Sequence, residues 1–190
     1  MSREKILAAA KQNKPALVPL PEVTAFTFAA NDLLAAFTAA INKAGGAVML
    51  LNGIQKLAQQ IQEVYPDAKR IANLIDGDTA ANKELLNEVA LLDVVVLKGQ
   101  LGVAENGAVW LTDKDCVERV LPFITQHLIL LIEKQTLVGN MHQAYAVMGK
   151  QNPDYGVFIA GPSKTADIEQ SLVIGAHGPR SLQVFIVEQL

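Results

Sequence analysis

Two segments bounded by glycine and proline carry most of the side chains in this sequence that could do chemistry: Gly161-Pro162-Ser163-Lys164-Thr165-Ala166-Asp167-Ile168-Glu169 and Gly175-Ala176-His177-Gly178-Pro179-Arg180. They lie between the apolar runs Val157-Phe158-Ile159 and Leu182 to Val187. The hydroxyls of Ser163 and Thr165, the Lys164 ammonium and backbone N–H groups freed at the turns suit a phosphate or carboxylate. Arg180, from the second segment, can add a bidentate donor pair. Ser163 is equally placed to cap a helical turn over Thr165 to Gln170, which is a structural use of the same hydroxyl. The spacing is not that of a Walker phosphate loop.

Asp167 and Glu169 are two residues apart, so on a helical turn they face different ways and form no close acid–base dyad. Pairing of either with Lys164 or Arg180 would hold the two segments together. His177, flanked by glycine-rich turns, has the freedom to approach a ligand, or to be satisfied by a neighbouring carbonyl. His127 and His142 share no metal-binding spacing with it, and no metal site is expected. Glu105, in the stretch Gly102-Val103-Ala104-Glu105-Asn106-Gly107, is a candidate nucleophile or base, or an exposed turn residue. The catalytic candidates are therefore Glu105 and His177, and the ligand-binding candidates Ser163, Lys164, Thr165, Asp167, Glu169, His177, Gly178 and Arg180.

The elements that must position these groups are legible in outline. The 190 residues, 51% hydrophobic and 18% charged, predict one well-packed domain. A net charge of −3 argues against a nucleic-acid binder. The single cysteine, Cys116, excludes an internal disulfide and a four-thiolate iron–sulfur cluster. The charged start Ser2-Arg3-Glu4-Lys5 lacks a signal-peptide pattern, and no apolar run approaches the ~20 residues of a membrane span. A cytoplasmic location is expected.

A helix is predicted over Ser2 to Lys11, then an extended arm with Pro15, Pro19 and Pro21 that wraps the domain or reaches a partner subunit, residues 1–28 in all. A helix from Asn31 ends at Gly45-Gly46. Buried strands follow at 47–51, 70–75 and 93–97, with helices over 54–64 and 83–90 between them. Residues 99–107 read as a loop whose Asn106-Gly107 pair makes a tight turn into a strand over 108–112. After a charged segment come a strand over 127–132, a helix over 136–148, and strands at 155–160 and 182–187. The alternation predicts an α/β fold with a mainly parallel sheet flanked by helices and an antiparallel or mixed edge. Ligands in such folds bind outside the carboxyl ends of strands, where the 161–180 stretch and the 99–107 loop would begin.

The two segments, followed by Leu182, resemble the signature of the lactate-utilisation (LUD) domain family. Gly102 to Gly107 resembles that family's Ala-Glu-Thr-Gly segment, with Asn106 in the threonine position and Ala108 where a hydroxyl residue is common. Arg119 and His127 fall near its arginine and its Pro-x-His element. The resemblance implies a single LUD-like domain with a fold like that of the sugar-phosphate isomerases, the coenzyme A transferases and 5-formyltetrahydrofolate cyclo-ligase. It also implies a place in a bacterial system that oxidises L-lactate to pyruvate, beside subunits that carry iron–sulfur clusters. Three functions stay open: a non-redox subunit binding a small carboxylate, an anionic cofactor or a nucleotide; a stand-alone acyl or coenzyme A transferase-like or ATP-dependent ligase-like enzyme using Glu105; and a scaffold or regulatory module.

Overall fold

The computed structural model describes residues 2–19, 21–22, 26–29, 31–75, 84–149, 153–165 and 173–188. Its helices are α1 (Arg3–Gln12), α2 (Leu33–Ala44), α3 (Leu57–Val64), α4 (Asp113–Cys116), α5 (Leu121–Ile124) and α6 (Met141–Met148). Its strands are β1 (Ala47–Leu50), β2 (Ile71–Asn73), β3 (Val94–Lys98), β4 (Leu101–Val103), β5 (Ala108–Thr112), β6 (His127–Glu133), β7 (Leu137–Val138), β8 (Gly156–Ile159), β9 (Lys164–Thr165), β10 (Val173–Ile174) and β11 (Ser181–Val187).

A five-stranded, all-parallel sheet in the order β1-β11-β6-β3-β2 forms the centre. Its middle strands lack polar alternation because both faces are covered. Val95, Leu97, Leu128 and Leu130 pack with Phe37 and Ile41 of α2. Val94, Val96, Ile129 and Leu131 pack on the other face with Leu57 and Ile61 of α3. A second sheet of four strands, β7-β4-β5-β8, joins the α2 side through Val109 and Leu111. Its outer face is closed by Ala144 and Met148 of α6 against Leu101, Val103 and Trp110. The fold is thus α/β with a mainly parallel sheet flanked by helices. The expected mixed edge is a separate sheet.

Several elements depart from expectation. β4 lies inside the stretch read as a loop, because the Asn106-Gly107 turn folds it antiparallel onto β5; Gly107 has φ +71° and Asn106 Oδ1 accepts from the Ala108 N–H. The helix expected from Thr136 begins only at Met141, since Leu137 and Val138 pair with β4 and the Asn140 side chain caps the new start through the Gln143 N–H. Of the helix expected over 83–90, residue 83 lies outside the described residues, 84–86 are helical, and a 3₁₀ turn follows at Val89–Leu91. β1 is an edge strand and is not fully buried: Val48 and Met49 pack only in part against the two cores, and Leu50 is exposed.

Among its described residues, 12–19 and 21–22, the arm does not wrap the domain. α1 is capped by the Ser2 hydroxyl, but none of its residues is buried, and the chain stays exposed through residue 19. Among the described residues, contact is made by Phe26, whose carbonyl accepts from Asn140 Nδ2 and whose ring stacks on His142 at 5.0 Å, and by Phe28, which packs on the core. α2 is fixed at both ends: Asp32 accepts from the Leu34 and Ala35 N–H groups, and Gly45 leaves it at φ +88°. Among the described residues, no helix is long and apolar enough to cross a membrane.

Candidate functional site

The chain leaves β8 at Ile159, turns at Gly161 and returns through Arg180 to the first residue of β11. Gly161 has φ +81°, and a Cβ there would stand 2.7 Å from the Ala44 carbonyl, so the turn is pressed against the end of α2. Ser163 is held by both backbone groups: its N–H donates to Pro179 O at 2.9 Å, and its carbonyl accepts from the Gly175 N–H at 3.0 Å. The Arg180 N–H donates to Gln126 O at 2.8 Å, just ahead of β6. The two segments are thus one unit, seated at the amino ends of β6 and β11. They do leave the carboxyl end of a strand, β8, but β8 belongs to the second sheet, so the carboxyl-end rule does not locate them on the parallel one.

Lys164 and Thr165 pair antiparallel with Ile174 and Val173, so the helical turn expected to open at Thr165 is replaced there by a strand. Asp167, Glu169 and the remainder of that turn lie outside the described residues. The Ser163, Gly175 and Arg180 N–H groups are committed to the loop contacts, so an anion here would be met by side chains and by other amides of the loops.

Ser163, Lys164, His177 and Gly178 come together around a cavity of about 290 Å³ whose apolar walls include Phe123 and Phe158. Arg180 lies on an adjoining hollow of about 450 Å³, which shares Phe123, His177 and Gly178 with the first. His177 therefore stands between the lysine side and the arginine side, exposed to solvent. Thr165 lines neither hollow.

Lys164 has a second neighbour. A Cβ at Gly45 would be 3.0 Å from its Nζ, so the ammonium rests over the carboxyl end of α2, where the helix dipole favours a cation. Glu105 belongs to another part of the molecule. Its Oε1 accepts from the Met141 N–H at 2.9 Å, at the start of α6, a structural use of the carboxylate that suits the positive end of a helix. Neither Glu105 nor His142 lines the two hollows.

One polar cluster escaped the sequence reading. His127 Nδ1 and Tyr65 OH both lie 2.8 Å from Ser181 Oγ, and the two rings stack at 4.6 Å. Burial pushes the His127 imidazole below its usual value, with the Arg180 charge acting in the same direction and Asp93 opposing. Burial likewise pushes the Tyr65 phenol up. The only local signal was Ser181 directly after Arg180; Tyr65 and His127 reach it from distant stretches.

The family model described as LUD domain matches residues 61–187, which span every strand from β2 to β11. The chain belongs to the LUD domain family. This LUD domain is 32% identical over 116 residues to a protein from Shouchella clausii named lactate utilization protein C, covering 58% of this chain and 51% of that one. A protein of the same name from Anoxybacillus flavithermus is 32% identical over 144 residues, 71% of this chain and 60% of the relative. The Bacillus pumilus protein of that name reaches 40% identity over 83 residues, 40% of this chain and 35% of its own. The LUD domain spans about half the length of the curated relatives it matches. Among solved structures, a DUF162 family protein from Deinococcus radiodurans shares the fold, with a TM-score of 0.60 at 20% identity over 82% of this chain and 96% of that one.

Proposed function

We propose that this LUD domain acts in bacterial lactate utilisation as a non-redox subunit that binds a small carboxylate between the 161–163 and 175–180 loops. The observation that carries the reading is the pair of hollows meeting at His177, polar along Ser163 and Lys164, cationic again at Arg180, and apolar at Phe123 and Phe158. A two- or three-carbon acid with a methyl group matches that division: its carboxylate meets the cations and its methyl the aromatic walls. The names of the relatives support lactate or its oxidation product as the acid. A nucleotide or other anionic cofactor is the larger ligand of the same chemistry.

Oxidation of a 2-hydroxy acid needs an electron acceptor, and this chain's one cysteine, Cys116, cannot ligate a cluster of four thiolates. Partner subunits with iron–sulfur clusters supply that step in this reading. Calorimetry with L-lactate and pyruvate tests the ligand, and affinity capture from lactate-grown cells tests the partners. Saturable heat that is lost in Arg180→Ala and Ser163→Ala supports the reading. The absence of heat with either acid, together with capture of no iron–sulfur protein, overturns it.

A further inference from the structure

A separate hollow of about 290 Å³ opens beside the amino ends of β3 and β6, with Tyr65, Asp67, Asp93 and His127 on its walls. Neither Ser163, Lys164 nor Arg180 lines it. Two wall residues, Tyr65 and His127, are joined through one hydroxyl, because Ser181 Oγ lies 2.8 Å from both Tyr65 OH and His127 Nδ1. The join is set by the sheet: Ser181 and His127 are register partners in the β11–β6 pair, while Tyr65 is the residue that ends α3.

Ser181 has one proton to give, so the three groups have two self-consistent arrangements. In the first, Tyr65 donates to Ser181, Ser181 donates to Nδ1, and the neutral imidazole carries its proton on Nε2. In the second, Nδ1 donates to Ser181, Ser181 donates to Tyr65, the phenol proton is free, and Nε2 offers a lone pair. Each arrangement presents one donor and one acceptor, and the ends exchange when the imidazole proton moves between Nε2 and Nδ1 through solvent and the two hydroxyls turn. Asp93 adds a fixed acceptor: its Oδ2 takes the Lys69 and Arg70 N–H groups at 2.8 and 2.9 Å, while Oδ1 has no partner among the described residues.

These features select a ligand by its hydrogen-bonding character. A carboxylate only accepts, and would face Asp67 and Asp93. An ammonium only donates, and leaves the donor end of the relay unmatched. Hydroxyl groups do both. Among the described residues, no three histidine, cysteine or acidic side chains converge as a metal shell. We propose that this hollow binds a small polyhydroxylated molecule, with Asp93 and Asp67 accepting from its hydroxyls and the Tyr65–Ser181–His127 relay matching a further hydroxyl in either orientation. The hollow shares no wall residue with the anion loops, although the Arg180 charge reaches His127.

The test is an NMR titration of the histidine imidazole signals in the intact chain, with D-ribose and glycerol as probes and acetate and methylammonium as controls. Ribose is expected to shift His127 saturably in the millimolar range, with His142 unmoved and neither control reproducing the effect. Tyr65→Phe keeps the stacked ring and loses only the hydroxyl, and Ser181→Ala breaks the relay. Each is expected to weaken ribose binding about tenfold, the loss of roughly one hydrogen bond. A His127 signal that ignores ribose, that answers equally to acetate, or that responds unchanged in a folded Tyr65→Phe variant overturns the proposal.

Discussion

Ser163 and Gly178 touch across the two loops so closely that a Cβ at Gly178 would stand 3.0 Å from Ser163 Cβ and 3.3 Å from its Oγ. Gly178→Ala must therefore push the loops apart by a few tenths of an ångström. The expected cost is about 1 kcal/mol of stability, together with weaker carboxylate binding. A urea midpoint shifted at unchanged slope, beside a reduced calorimetric affinity, would bear this out; wild-type values for both would show that the loops yield freely.

Lys164 serves the end of α2 as well as the loop cavity. Lys164→Met is expected to lower stability by about 0.5 kcal/mol at low salt. Because the ammonium is exposed, the gap between variant and wild type should shrink as ionic strength rises. A gap that is insensitive to salt would point to lost packing of the side-chain stem instead.

Glu105→Gln removes the charge from the bond to the Met141 N–H at the head of α6. A loss of about 1 kcal/mol in chemical denaturation is expected, by analogy with other side chains that satisfy a helix start. Intact-mass measurement after incubation with an acyl-coenzyme A is expected to leave the wild type unmodified. A covalent adduct on Glu105 would show it to be a nucleophile.

His127 makes stability pH-dependent in a defined direction. Burial lowers its folded value, aided by Arg180 and opposed by Asp93, so as pH falls the unfolded chain takes up the proton first. Its contribution is complete above about pH 6.5, the ordinary value for the unfolded chain, and is lost as pH drops through the lower folded value. Urea midpoints across that range should fall for the wild type and flatten for His127→Gln. Equal slopes for both would remove His127 as the source.

Cys116 is fully buried, and burial together with Asp115 and Asp113 pushes its thiol up to about 11. A neutral, covered thiol is a poor nucleophile. Labelling with a disulfide reagent near neutral pH should proceed at the rate of chain opening, and should accelerate with urea. Rapid labelling of the folded protein would mean that the α4 segment opens by itself.

The sequence made the long elements plain because each carries its own signal. Asp32 and Gly45 mark the ends of α2, and the apolar runs of β3, β6 and β11 are long enough to require cover on both faces. Short strands have no such autonomy. Leu101-Gly102-Val103 reads as loop among its glycines, and becomes β4 only because β5 and β7 supply its hydrogen bonds. Leu137 keeps helical spacing with Met141, so periodicity extended α6 backwards past the Asn140 cap. Similarly, Ser163, Lys164, His177 and Gly178 were found because two short segments contain them all. Tyr65, His127 and Ser181 were not, since their meeting depends on the β6–β11 register and on where α3 ends, which no local pattern encodes.

The strand order also fixes when the sheet can be completed. β11 lies between β1 and β6, so Ala47 finds its parallel neighbour only at Gln183, and β6 receives its second neighbour from the same late segment. During synthesis β1 must stay without its ladder until almost all of the intervening chain has left the ribosome. Such distant pairing slows folding, because the closure entropy is spent before the contacts form. Until β11 arrives, the nascent chain holds β2, β3 and β6 with an open, strongly apolar edge at Leu128 to Ile132, a stretch that a chaperone would be expected to cover.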